Sequence, residues 1–387
     1  MGRRWRTSIS RMSLGGERRP ACAADRSEHG NAAGAAQRRA EAGREPARSP
    51  ETILGRFSLM TGLPQKLAAN LSAIVLLIIG AAFAGDGPTV HEPPEWAYPL
   101  NRSGPPKPLP DDGLLHVPGS SVALPIRALT DRFGAVDWHP DQHPPMPEVV
   151  EHGRKPDVYA CAFCHYPNGQ GRPENDALAG LPASYIVQQM EAFKKGLRRS
   201  AQPAMIAPGL MLSPALHASP EETVSAASYF SALPYKPWIR VVEGDMVPRT
   251  EVAGVSLLSP IVDGGTEPIG DRIIEVPENP PLTRLRDDAQ GFVAYVPLGS
   301  VTRGDELVHS VKGDRLPCDT CHGQDFKGTE LAPPLAGRSP GYLFRQLFDI
   351  RQGSRSGPAL LPMQLEVADM TDREMLSIVA YLASLRP

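Results

Sequence analysis

Two short stretches carry the chemistry of this 387-residue chain. Cys161-Ala162-Phe163-Cys164-His165 and Cys318-Asp319-Thr320-Cys321-His322 repeat one pattern: two cysteines, two residues apart, followed at once by histidine. Residues three and four apart share a helix face, so one helical turn presents both thiols and the imidazole on the same side. This is the attachment signature of c-type haem, in which the thiols bond the two vinyl groups and the histidine coordinates the iron. Two copies predict two covalently attached haem c groups. They would be held by Cys161, Cys164, Cys318 and Cys321, with His165 and His322 as proximal iron ligands.

The competing chemistries are a thioredoxin-like redox pair, a four-cysteine zinc site and two structural disulfides. A redox pair gives the following histidine no role. Zinc is better served by two Cys-x-x-Cys knuckles about 15–20 residues apart, and these motifs lie far more widely separated. The remaining cysteine, Cys22, falls in a segment that does not read as folded.

The front of the chain reads as three pieces. Residues 1–59 are rich in Arg, Ala, Gly and Ser, lack apolar periodicity and cannot form a core. Residues 60–84 begin at Met60, pass Lys66 and an apolar run from Leu67, and end in Ala82-Phe83-Ala84. A basic start, an apolar run and a small-x-small site make an export signal. Met60 is therefore the expected true start, with cleavage near Gly85. The other reading is an uncleaved anchor, since the run approaches a short spanning helix; membrane contact is expected only through that segment. The first 59 residues hold twice as many Arg as Asp plus Glu, so the exported part is more acidic than the overall formal charge of −3 implies. An acidic surface favours basic partners and disfavours nucleic acid.

Elements that could position the motifs come from an internal repeat. Leu178-Ala179-Gly180 and Leu335-Ala336-Gly337 follow the two motifs at the same distance. Tyr185 matches Tyr342, Gln189 matches Gln346, Gly196 matches Gly353, and Arg198 matches Arg355. Tyr185 to Lys195 and Tyr342 to Arg351 have apolar residues at helical spacing. Beyond Arg198 the first copy carries five extra residues, after which Tyr229 to Leu233 aligns with Tyr381 to Leu385. Ser219 and Thr371, followed by acidic residues, predict capped starts for the last helix of each copy. Met211 and Met363 stand equally far before those caps and are the candidates for the sixth iron ligands, with Met205 the alternative to Met211. Met190, Met370 and Met375 read as packing residues.

Each repeat resembles the class I cytochrome c domain, and the pair resembles the dihaem cytochromes of the c4 type, over about Val149–Leu233 and Val301–Leu385. The resemblance implies a mainly α fold of two tandem cytochrome c-like helical domains, 148–234 and 300–387, each holding a haem with His and Met ligands. It also implies haem attachment outside the cytoplasm, hence a periplasmic protein. Such domains commonly place a proline before Leu-x-Gly whose carbonyl receives the proximal histidine's N–H. The second copy offers Pro333 or Pro334, whereas the first has Asp176 and Ala177 there, with Pro173 displaced.

Two segments depart from the pattern. Residues 235–299 form a long, irregular or partly β connection, with β-branched runs at Trp238 to Val242, Glu251 to Leu258, Arg272 to Val276 and Phe292 to Val296. A structureless loop of that length is uncommon, so it is expected to pack over both repeats. Residues 85–147 are proline-rich and are expected to wrap the first repeat in extended form, with His139 and His143 as exposed loop histidines; the other reading of that pair is a metal site or an alternative haem ligand.

The expected function is single-electron transfer between redox protein partners, a donor and an acceptor that include a membrane oxidase or a dehydrogenase. With both irons six-coordinate no position is left for substrate, so an electron carrier is expected rather than an enzyme. The alternative is a haem-containing catalytic subunit, peroxidase-like or dehydrogenase-associated, which would need one iron with an exchangeable ligand.

Overall fold

Side chains set the helix ends in this chain. Ser219 Oγ accepts the Glu222 amide at 3.1 Å while Glu222 Oε2 accepts the Ser219 amide at 2.7 Å, and helix Pro220–Ala232 starts there. Thr371 and Glu374 make the same reciprocal pair, at 3.2 and 2.9 Å, ahead of helix Asp372–Ser384. The computed structural model describes residues 91–387 apart from 103, 105–112, 176 and 314. The chain divides into Met1–Gly85 and Asp86–Pro387, and every described residue belongs to the second unit. The expected extension 1–59 and export signal 60–84, with Met60 and Cys22, lie outside the described residues. Among those described, no helix is long and apolar enough to cross a membrane.

The two largest apolar cores among the described residues belong to the two repeats. In the first repeat Val150, Leu181, Ile186, Tyr229 and Phe230 pack between helices Ala183–Lys194 and Pro220–Ala232. In the second, Phe344, Phe348, Met375, Ile378 and Val379 pack among helices Ser300–Val308, Pro340–Arg351 and Asp372–Ser384. Burying one such side chain contributes roughly 1.5–3 kcal/mol. Met370, just before the Thr371 cap, and Met375, within the helix, belong to this core, as expected of packing residues. Helix Ser300–Val308 lies against helix Asp372–Ser384 at Gly304, where a Cβ would fall 2.0 Å from the Ser377 carbonyl oxygen. Only glycine permits that approach.

The two repeats meet through the residues that match between them. Leu197 to Arg199 and Ser354 to Ser356 pair backbone to backbone, with Arg199 N donating to Ser354 O at 2.9 Å and Ser356 N to Leu197 O at 2.8 Å. Arg198 donates to Tyr342 Oη and Arg355 to Tyr185 Oη. Both guanidinium groups share Gln189 and Gln346.

The connection 235–299 is built largely of short strands. Phe292–Val296 is the centre of a three-stranded sheet, parallel to Ile239–Glu243 and antiparallel to Ile274–Pro277. Its register pairs Ile239 with Phe292 and Ile274 with Tyr295. A parallel pair needs a crossover, and the chain between supplies two ladders, Met246–Pro248 with Thr266–Pro268 and Thr250–Ala253 with Leu257–Pro260. The run Glu251 to Leu258 is thus a hairpin rather than one strand, because Gly254 turns it with φ of +61°. The connection touches both repeats: Arg286 donates to Phe163 O, and Glu275 Oε2 accepts from Ser339 Oγ and Gly341 N, each at 2.8 Å.

The proline-rich segment takes a different path from a simple wrap of the first repeat. Ala97 and Tyr98 lie in the core of the second repeat, where Tyr98 Oη donates to Asp349 at 2.7 Å and Trp96 packs on Phe344 at 4.6 Å. Farther on, fully buried Trp138 donates its indole N–H to Leu285 O at 2.9 Å, fastening the segment to the connection. His139 is only 5% exposed and His143 is half-buried with Nε2 3.2 Å from Asp137, which corrects the expectation of two exposed loop histidines. Aromatic and indole anchors outweigh the extended, proline-rich character of the backbone.

Candidate haem-attachment sites

The first motif forms the short helix Cys161–His165, ended by Tyr166 at φ of +64°. Its orphan carbonyls find side-chain donors. Asn175 Nδ2 donates to Cys164 O at 2.7 Å, and Arg286, with its guanidinium 4.0 Å over the Phe163 ring, donates to Phe163 O. His165 is buried, edge-on to Phe230 at 6.2 Å. Neither cysteine pair forms a disulfide. Burial pushes the Cys161 thiol up to about 12 and raises Cys164. A reactive dithiol needs the opposite shift, so the redox-pair chemistry weighed from the sequence is disfavoured here.

Cys161, Cys164 and His165 open onto a cavity of about 610 Å³. Ile186, Phe193, Phe230 and Met211 also line it. Its wall continues through Tyr185 and Gln189 to Tyr342 and Gln346, so it reaches the junction of the repeats. Met190 faces this cavity as well, which corrects its reading as a core residue. Met205 is 3% exposed and packs in the core of the second repeat, so Met211 and not Met205 borders the first motif's cavity. Arg172 and Arg286 line the same space, and the Nε of each is buried without a hydrogen-bond partner. Two thiols and an imidazole on one turn, apolar walls and spare guanidinium N–H groups fit a flat apolar macrocycle carrying carboxylates.

The second motif runs from Cys318 into helix Asp319–His322. Thr329 Oγ1 donates to Cys321 O at 2.6 Å, the counterpart of Asn175. Burial raises the Cys318 thiol to about 11. His322 Nδ1 lies 2.9 Å from Pro333 O. A carbonyl only accepts, so Nδ1 carries the hydrogen and Nε2 is the free lone pair. Burial holds the imidazole below its ordinary pKa, which favours the neutral ring. Of the two expected prolines it is Pro333 that meets the ring; the Pro334 carbonyl receives Arg338 Nε at 2.8 Å. In the first repeat the Pro173 carbonyl receives Arg345 Nη2 at 2.6 Å, and Asp176 lies outside the described residues. Met363 sits half-buried on helix Leu361–Val367 against the second core.

Sequence reasoning missed Arg286, Asn175 and Thr329. Arg286 comes from the connection, more than a hundred residues from the carbonyl it caps, and no local pattern announces it. Asn175 and Thr329 serve the same purpose with different side chains, so the repeat does not align them.

Residues 310–386 match the Cytochrome c family. That segment is a cytochrome c domain, which implies covalently bound haem c. The chain is also similar to curated proteins of bacterial electron transfer. The thiosulfate dehydrogenase electron acceptor of Thiomonas intermedia is 26% identical over 232 residues, 59% of this chain and 80% of the relative. The protein of the same description from Stutzerimonas stutzeri is 40% identical over 72 residues, which is 18% of this chain and 32% of that one. Cytochrome c4 of Stutzerimonas stutzeri is 25% identical over 127 residues, covering 32% of this chain and 58% of its own length. The first relatives are thus spanned to very different extents, one by about a third and one by four fifths. Among solved structures, thiosulfate dehydrogenase (TsdBA) from Marichromatium purpuratum aligns over 62% of this chain and 39% of its own, at 24% identity and a TM-score of 0.40. Cytochrome c4 from Pseudomonas stutzeri aligns over 58% and 93% at 20% identity and a TM-score of 0.36.

Proposed function

We propose that this chain is a periplasmic dihaem cytochrome that passes single electrons between redox proteins. The observation that carries the reading is the cavity lined together by Cys161, Cys164, His165 and Met211, repeated in sequence by Cys318, Cys321, His322 and Met363. Two cytochrome c units, 148–234 and 300–387, would each hold one haem c through their cysteines. His165 and His322 are the proximal ligands of the reading, and Met211 and Met363 the distal ones. When bound, the two groups supply one-electron exchange between ferrous and ferric iron.

The protein's own part is to hold, orient and shield. Pro333 O fixes the His322 ring with Nε2 free to coordinate. If Met211 and Met363 supply the second protein ligand to each iron, their thioethers would favour the ferrous form and a higher potential than a second imidazole would. Arg286 is placed to neutralise a carboxylate on the bound group, whereas the Arg172 charge is already met by Glu174 at 2.6 Å and only its Nε–H is spare. The apolar wall of Ile186, Phe193 and Phe230 keeps water from the site, which limits the reorganisation that each electron requires.

Relatives described as thiosulfate dehydrogenase electron acceptors favour a dehydrogenase as donor, and the acidic exported chain favours a basic docking surface on its partner. Spectroelectrochemical titration with iron quantification tests the reading. Two irons per chain, both low-spin, with neither ferrous site binding carbon monoxide, are expected. One iron per chain, or ready carbon monoxide binding, would overturn it in favour of a catalytic haem subunit.

A further inference from the structure

Away from the two motifs, His139, Asp287 and Asp288 converge in the interior. They come from the proline-rich segment and from the turn that follows helix Pro280–Arg284. All three are buried, at 5%, 2% and 7% exposure, and one donor atom from each lies within 4.8 Å of the others. His139 Nε2 is 3.0 Å from Asp287 Oδ1. The remaining partners of Asp287 are neutral, the Ala289 amide at 3.1 Å and Gln290 Nε2 at 2.6 Å. Asp288 Oδ1 is buried with no hydrogen-bond partner. Two adjacent buried carboxylates, one with an orphaned oxygen, are costly unless a cation compensates them.

We propose that His139, Asp287 and Asp288 bind one divalent transition cation of the zinc type. One imidazole nitrogen with two carboxylate oxygens is a donor set such ions take. With ligand bonds of about 2.0–2.1 Å, donors around a tetrahedral ion stand roughly 3.3 Å apart, close to the 3.0 Å already separating His139 from Asp287. The ion is admitted by a small opening of that pair with the Asp288 carboxylate, within 4.8 Å of both, closing on it, and His139 Nε2 loses to solvent the proton it shares with Asp287. Water completes the coordination. Gln290 orients the Asp287 carboxylate, and Asn168 of the first repeat holds the Asp288 backbone by donating to its main-chain carbonyl at 2.7 Å.

The ion would pin two segments at one point, the proline-rich segment through His139 and the 285–288 turn through Asp287 and Asp288. Trp138, next to His139, is anchored on Leu285. Arg286, next to Asp287, caps Phe163 within the first Cys-x-x-Cys-His turn. The site is therefore a staple that holds the 285–288 turn against the first motif.

The test uses the purified protein as exported, stripped with a strong chelator, reloaded with zinc, passed through gel filtration and assayed for zinc and iron together. About one zinc per chain is expected in the parent, with a thermal midpoint that rises on reloading and falls again on chelation. Asp288→Asn and His139→Gln should each cut retained zinc by roughly tenfold or more while iron per chain stays constant. Asp288→Asn should also remove the zinc-dependent shift in midpoint. His217→Gln, at an exposed histidine, should retain zinc like the parent. A parent that keeps no zinc and whose midpoint ignores it, or variants that retain zinc like the parent, would overturn the assignment; the parent measurement decides even where a variant fails to fold.

Discussion

Arg198 and Arg355 face each other across the junction of the repeats, and each reaches the tyrosine of the opposite copy: Arg198 donates to Tyr342 and Arg355 to Tyr185. Gln189 and Gln346 accept from both. The arrangement is reciprocal, as in an interface between two identical surfaces, here within one chain. It explains why tyrosine, glutamine and arginine recur at matched positions: they are interface residues more than internal helix residues.

Reciprocity makes a measurable prediction. Arg355→Ala leaves Tyr185 and the glutamines short of a donor and should cost about 1–3 kcal/mol. Arg198→Ala should cost a similar amount. Because both act on one network, the double variant should fall short of the sum by at least about 0.5 kcal/mol. Chemical denaturation of the four proteins measures this, and strictly additive losses would refute a shared network.

Gly304 gives a sharper case. A methyl there would sit 2.0 Å from Ser377 O and 2.6 Å from Tyr381 Cβ. Neither can move without parting two core helices. Gly304→Ala should therefore destabilise by roughly 3 kcal/mol or more, since overpacking adds to a broken helix contact. Gly209 is the control: it lies in helix Ile206–Leu210 with nothing within 4 Å of its added Cβ. Gly209→Ala should be neutral or stabilising by up to about 1 kcal/mol. Equal effects of the two substitutions on the thermal midpoint would contradict the packing argument.

What could be read in advance follows from how local each signal is. The helical Cys-x-x-Cys-His turns, the Ser219 and Thr371 caps and the middle helices depend on residues within four positions of one another, and they were legible. The strands at Ile239–Glu243 and Phe292–Val296 were legible as β-branched runs, but their parallel pairing was not, because it depends on contacts across fifty residues. Burial of His139, the path of Tyr98 into the second core, and the separation of Met205 from Met211 are tertiary facts. Proline content and loop position pointed the other way for His139 and Tyr98, whereas Met211 was already preferred to Met205 from its spacing.

The two methionines of the first repeat can be separated by experiment. Met211 borders the cavity beside Cys161 and His165, whereas Met205 packs with Phe344 and Phe348. In the haem-loaded protein, Met211→Leu should let one ferrous site bind carbon monoxide and remove one of two thioether-to-ferric bands in the red. Met205→Leu conserves volume, should cost less than about 1.5 kcal/mol, and should leave both bands intact. Carbon monoxide binding by the Met205 variant alone would reverse the assignment.

Glu275 ties stability to pH. Burial between the central sheet and the start of helix Pro340–Arg351 pushes its carboxyl from 4.5 up to about 7, against the pull of Ser339, the Gly341 amide and Arg345. Below pH 4.5 both folded and unfolded chains hold the proton, and the group contributes nothing to pH dependence. Between 4.5 and 7 the folded chain keeps a proton that the unfolded chain releases, so stability falls as pH rises. Above 7 the loss is complete, at most roughly 3 kcal/mol. Glu275→Gln keeps an acceptor for Ser339 and Gly341 but has nothing to titrate. Its stability relative to the parent should climb from pH 4.5 to 7 and then level off, as urea denaturation across that range would record. A difference independent of pH would mean that Glu275 is already ionised in the folded chain well below neutrality.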